Sequence, residues 1–125
     1  MVMADRFKHL NDYLVSWGRP EKVLPALADD YVLDDPSEPK LVTRLTIIAW
    51  MNRWTEAMEA AGGTGRVESA DSVEYDHDGI LVRWSWWHAI GTEIEGSSLI
   101  KVTDQGVAHH RMAFARPRPA WRKTP

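Results

Sequence analysis

Along the first half of the chain the apolar residues return every three or four positions. Phe7, Leu10, Leu14 and Trp17 make one stripe, so the spacing predicts an amphipathic helix over residues 3–17, stopped by Gly18, with Tyr13 beside the stripe. Pro20 suits a first helical position, and Val23, Leu24 and Leu27 continue an apolar face over residues 20–28. Pro25 would lose a hydrogen bond and clash with the preceding turn, so two short turns or a kink are expected there. Residues 31–35 read as a short strand. Pro36-Ser37-Glu38-Pro39 reads as a loop, because each Pro pushes its predecessor out of helical geometry. From Thr43 to Ala61 the positions Ile47, Met51, Trp54, Met58 and Ala61 form the longest helical stripe, which Gly62-Gly63 stops.

Beyond Gly65 the pattern changes from helical to alternating. VESADSVEYD, GILVRWSWWHAIG, EGSSLIKVTD and GVAHHRMAFA read as four strands, joined at Asp78-Gly79, near Gly91 and at Asp104-Gln105-Gly106. Helices followed by an antiparallel sheet define an α+β domain over residues 1–116, with a basic, Pro-rich tail over 117–125. In the second of these strands Ile80, Val82, Trp84, Trp86, His88 and Ile90 share one face, and Leu81, Arg83, Ser85, Trp87 and Ala89 the other. The first set is the more apolar and is expected to face the helices, which leaves Trp87 outside. By the same alternation Ser98, Ile100 and Val102, and then His110, Met112 and Phe114, are expected to point inward, with His109 and Arg111 outward. Over residues 31–35, Tyr31, Leu33 and Asp35 are assigned to the inner face and Val32 and Asp34 to the outer one, while Asp29-Asp30 is expected to close the helical segment in solvent.

Composition narrows the function classes. The chain has 125 residues, 44% hydrophobic and 26% charged, which fits one soluble globular domain and is too apolar for disorder. Seven Trp in so small a chain call for a large core, an aromatic-lined cavity or an apolar surface that a partner covers. A net charge of −3 with scattered bases argues against nucleic acid as a partner. The absence of Cys excludes disulfides, thiolate metal sites and Cys catalysis, and fits a cytoplasmic protein. No signal-like segment and no long apolar run is present, so neither export nor membrane insertion is expected.

The order of elements, together with LADDYVLDDPSEP at residues 27–39, resembles the NTF2-like superfamily in its SnoaL-like and ketosteroid-isomerase-like branch. That resemblance implies a cone of N-terminal helices packed on a curved, mostly antiparallel sheet. It implies a small hydrophobic molecule in the cone, no cofactor, and a homodimer through the outer sheet face, to which Trp87 is assigned. Asp35, just before Pro36, falls where ketosteroid isomerases keep a proton-shuttling Asp; Tyr13 falls near their oxyanion-donating Tyr, and Ser98 stands where they keep a protonated Asp. His88 resembles, by strand position, a pocket His of the scytalone-dehydratase branch.

The candidate catalytic residues are therefore Asp35, Tyr13 and His88. An inward carboxyl group among aromatic side chains is poorly solvated, the setting in which it can exchange protons near neutral pH. The alternative for Asp35 is a turn residue that accepts backbone hydrogen bonds. Trp54, Trp84, Trp86, Ser98, His110, Met112 and Phe114 are the candidate substrate-binding residues, and no metal site is expected because His88, His110 and Asp35 lack ligand spacing. Two functions follow. One is a cofactor-independent enzyme of isomerase, dehydratase, cyclase or hydrolase type, with Asp35 moving the proton. The other is a non-catalytic ligand-binding or dimerisation module.

Overall fold

The computed structural model describes residues 2–115; the tail over 117–125 lies outside the described residues. Helix α1 (Val2–Val15) leads through two single 3₁₀ turns, Pro20–Lys22 and Leu24–Ala26, into β1 (Leu27–Asp34), a two-residue β2 (Val42–Thr43) and helix α2 (Ile47–Ala60). Four long strands follow: β3 (Val67–His77), β4 (Ile80–Ala89), β5 (Glu95–Thr103) and β6 (Gly106–Phe114). The two 3₁₀ turns are the solution that Pro20 and Pro25 impose. β1 begins earlier than the alternation suggested, so Asp29 and Asp30 lie exposed within the strand and do not close a helix.

The six strands form one sheet in the order β2-β1-β6-β5-β4-β3, antiparallel except where β1 runs parallel to β6. Register shifts in the β1–β6, β3–β4 and β5–β6 pairings mark the irregularities at which the sheet can bend. Asp78 and Gly79 both carry positive φ, 51° and 78°, the backbone of a tight two-residue hairpin turn between β3 and β4. At the end of α2 the Gly63 N–H donates to Met58 O and the Gly62 N–H to Glu59 O, with Gly62 at φ 93°, which closes the helix as its glycine pair predicts.

The helices pack on the concave side. α1 buries Leu10, Tyr13 and, just past its end, Trp17, and α2 buries Ile47, Trp50, Met51, Trp54 and Met58. Phe7, which the stripe included, stays exposed; the helix instead buries Arg6, whose guanidinium pairs with Asp76 on β3 and Asp104 in the β5–β6 turn. Ala61, also expected in the α2 stripe, is exposed beyond the helix end. Tyr31, Leu33 and Asp35 are buried together, as the alternation in β1 implied. Among the described residues no helix is long and apolar enough to cross a membrane.

The face assignment of β4 is reversed. Leu81, Ser85, Trp87 and Ala89 are buried against the helices, whereas Ile80, Trp84 and Trp86 lie on the convex side, the two tryptophans 54% and 47% exposed. Strand β5 decides this. Trp87 stands opposite Gly96, where a side chain is missing: a Cβ placed there would lie 2.7 Å from Trp87 Cζ2 and 2.1 Å from Ala113 O. The Gly96 gap and a bond from the Trp87 indole to Ser98 seat the ring inside. Choosing the more apolar face as the inner one fails because the outer face of this sheet is itself apolar.

Gly96→Val should therefore destabilise the fold by about 3 kcal/mol, because the new atoms meet backbone on one side and a packed ring on the other. Urea unfolding followed by far-UV circular dichroism measures this, and an unchanged midpoint would show that Trp87 is not held against Gly96.

Candidate functional site

Inside the cone lies a narrow cavity, with about 30 Å³ open to the centre of a water molecule. That is room for about two waters as the structure stands. Its walls are largely apolar, built from Trp17, Trp54, Trp87 and Met112 with the small hydroxyls of Ser69 and Ser85 among them, and its polar end carries Ser98 and His110. Trp54 is fixed by its indole N–H donating to Gly65 O at 2.9 Å and by stacking on Trp50 at 5.7 Å. Trp87 meets Trp54 and Phe114 edge-on, each at 5.9 Å between ring centres.

The polar end belongs to a longer buried chain. Tyr31 Oη lies 2.7 Å from Tyr13 Oη, which lies 2.6 Å from His110 Nδ1; His110 Nε2 lies 2.8 Å from Ser98 Oγ, which accepts the Trp87 indole N–H at 3.0 Å. Alternation puts Ser98 and His110 on neighbouring inner faces of β5 and β6, while Tyr13 comes from the core face of α1 and Tyr31 from β1. Burial pushes the His110 imidazole down to about 3, with His109 adding a smaller push, so the ring is neutral at ordinary pH. Burial also raises Tyr13 well above its ordinary value, with Tyr31 adding to the effect, and raises Tyr31. The whole chain is uncharged.

Asp35 is 3% exposed, inward as expected, yet it does not line this cavity. It lines a separate groove of about 220 Å³ with Glu38, Trp50, Arg53 and Trp54, so Trp54 is a wall of both spaces. Both carboxylate oxygens are bonded. Oδ1 accepts from Ser37 N at 2.9 Å and Ser37 Oγ at 2.7 Å, and Oδ2 accepts from Trp50 Nε1 at 3.0 Å. Glu38 and Arg53 pair at 2.9 Å beside it. This is the turn geometry that an Asp before Pro-Ser can adopt, clamped to α2 by one indole.

Of the residues singled out from sequence, the fold brings together Tyr13, Ser98, His110, Met112 and Trp54, with half-buried Phe114 behind Trp87. It separates four others: Asp35 lines the neighbouring groove, and the remaining three are on the far side of the sheet. His88 sits on the convex face, its Nδ1 3.3 Å from Glu68, and Trp84 and Trp86 lie on that face too. Trp87, assigned to the outer face, is 4% exposed and is an interior wall. Tyr31 and Trp17 were not anticipated as members of the site. Both lay on predicted buried faces, but periodicity alone does not show which buried residues meet.

No family model matches the sequence, and no curated protein matches it. Solved structures do. An NTF2-like protein from Anabaena variabilis superposes with a TM-score of 0.68 at 10% identity, covering 94% of this chain and 92% of that one. A hypothetical protein with a ketosteroid isomerase-like fold from Catenulispora acidiphila, in complex with trimethylamine, gives 0.61 at 14% identity over 94% and 98%. A SnoaL-like polyketide cyclase candidate from Shewanella putrefaciens gives 0.60 at 10% identity over 90% and 79%. The chain has the NTF2-like fold, the cone that ketosteroid-isomerase-like and SnoaL-like proteins share.

The depressed His110 value carries a pH dependence. The unfolded chain takes up a proton on this imidazole as pH falls through 6.5, while the folded protein refuses it until about 3. Stability from this group is thus complete above that window and falls through it by about 1.4 kcal/mol per pH unit. His110→Asn should be less stable than the wild type at neutral pH and close the gap as the medium is acidified towards pH ~4. Urea unfolding of both proteins across the window measures this; a gap independent of pH would show that His110 is not buried neutral.

Proposed function

We propose that the protein binds a neutral, largely apolar small molecule in the cone, its one polar atom against Ser98 and His110. The observation that carries this reading is a tryptophan-walled cavity that ends in an uncharged hydrogen-bonded chain; among the described residues no Asp, Glu, Lys or Arg lines it. The narrow volume means that a ligand enters by displacing flexible lining, Met112 and Leu14 foremost. Structures of the same fold described as binding a small amine or as a polyketide cyclase candidate support a small-molecule role.

Acid/base catalysis by Asp35 is the second reading. It is favoured by a buried carboxylate in an aromatic groove that shares Trp54 with the cavity. The isomerase, dehydratase, cyclase and hydrolase types belong to it, and in each Asp35 gives up one of its three hydrogen bonds to reach a substrate. The two readings separate by mutation. Ser85 lines the cavity without belonging to the hydrogen-bonded chain, so Ser85→Phe should fill the space and weaken binding of a neutral bicyclic aromatic probe by about tenfold or more. Asp35→Asn should leave that affinity within about threefold. Titration followed by tryptophan fluorescence measures both, and the reverse pattern would transfer the site to the Asp35 groove.

The convex sheet face is the proposed homodimer surface, with the tryptophans corrected. Trp84, Trp86, Val73 and Tyr75 are exposed there side by side across β3 and β4, an apolar area that a second copy would cover. The double variant Trp84→Lys, Trp86→Lys should sediment as a monomer at concentrations where the wild type sediments as a dimer, with unchanged circular dichroism. A monomeric wild type would remove the proposal.

A further inference from the structure

The buried chain of Tyr31, Tyr13, His110, Ser98 and Trp87 has a direction, and donor counting supplies it. The Trp87 indole N–H can only donate, so Ser98 Oγ accepts at that contact. His110 is neutral, so one ring nitrogen donates and the other accepts. Two arrangements remain. If Nδ1 carries the proton, it donates to Tyr13, Tyr13 donates to Tyr31, and the Tyr31 hydroxyl proton is left over. Tyr31 is 1% exposed, lines neither the cavity nor the groove, and has no acceptor besides Tyr13 among the described residues. A buried donor would be stranded there, which native interiors avoid. If Nε2 carries the proton, Tyr31 donates to Tyr13, Tyr13 to Nδ1, and Nε2 to Ser98 Oγ. Every buried donor in the chain is then used, and the proton left over is that of the Ser98 hydroxyl, which lines the cavity.

We infer that the chain runs from Tyr31 to Ser98 and presents the cavity with a hydrogen-bond donor, so that the ligand it takes carries an acceptor oxygen of the ketone or ester carbonyl type. Ser98 Oγ accepts two bonds, from Trp87 and His110, and a hydroxyl polarised in this way donates more strongly. The same direction excludes Ser98 as a nucleophile activated by His110, because Nε2, the nitrogen facing Ser98, already holds a proton and has no free lone pair to receive another, while the basic Nδ1 faces Tyr13. Tyr13 is one step removed from the cavity: its hydroxyl proton is committed to His110, so it acts as a positioning residue and does not touch the ligand.

This ligand class rests on the cavity being the binding site, and the two claims are tested apart. Nitrogen NMR of the imidazoles at neutral pH, with His110→Asn to assign the signal, reads the tautomer without any ligand. A protonated Nε2 with bare Nδ1 is expected, and a protonated Nδ1 overturns the inference. Indanone and indane, which share a bicyclic frame and differ in the carbonyl, are then titrated by tryptophan fluorescence. The wild type should prefer the ketone by about tenfold or more, Ser98→Ala should reduce that preference to within about twofold, and Ser98→Thr should restore it. A ketone preference that survives in Ser98→Ala overturns the assignment. Binding of neither probe sinks the cavity as ligand site and the carbonyl class with it, while the direction of the chain is still decided by the tautomer.

Discussion

One line of hydrogen bonds holds the interior in register. Its members come from five elements: Tyr31 from β1, Tyr13 from α1, His110 from β6, Ser98 from β5 and Trp87 from β4. Apolar contacts tolerate small sliding because they have no preferred direction, whereas a buried imidazole needs one donor and one acceptor at fixed places. Shifting any of the five elements by an ångström or so would leave a polar group unpaired away from water, at a cost of about 1–3 kcal/mol for each orphan. The chain therefore acts as a specification of geometry as well as a source of binding energy.

That constraint reaches the outside of the molecule through Trp87. Once its ring is seated over Gly96 with its indole on Ser98, alternation leaves no freedom for the rest of β4: Ser85 and Leu81 must be inside, Trp84 and Trp86 outside. Register with β3 then lines Trp84 up with Val73, and Val82 with Tyr75, extending the apolar strip across the strands. The interior polar chain and the exterior aromatic face are thus two consequences of one register.

Much of this was legible in the sequence, unevenly. Element order, the α2 stripe, the turns at Asp78-Gly79 and Gly62-Gly63 and the inward sets of β1, β5 and β6 follow from local spacing and backbone chemistry, which neighbours in sequence determine. The face of β4 was not legible by hydropathy, because alternation divides a strand into two sets without saying which is buried, and here the more apolar set is exposed. A signal did exist on the neighbouring strand: Gly96, two residues before Ser98, leaves a hole that only a large ring opposite can fill. Pairing Trp87 with Gly96 requires the β4–β5 register, and that register depends on the length of the connection around Gly91, which hydropathy does not encode. The joining of Tyr31 to Tyr13 was hidden for the same reason, since residues 18 apart in sequence meet only once α1 has docked.

Asp35 shows how the fold keeps charge away from the cavity. Its position just past the end of β1 puts its carboxyl group beside Trp50 and Trp54, where an ion without partners is heavily penalised. The chain turns at Pro36, and Ser37 and Trp50 supply three donors that hold the group on the groove side of Trp54. Through those bonds, and through the Glu38–Arg53 pair one turn along α2, the loop after β1 is clasped to the helix whose Trp54 walls the cavity. The acid thus shapes the cavity by anchoring its wall. The polar groups left on the cavity are neutral ones, so a ligand bound there as proposed would be discriminated by the direction of a hydrogen bond and not by the sign of a charge.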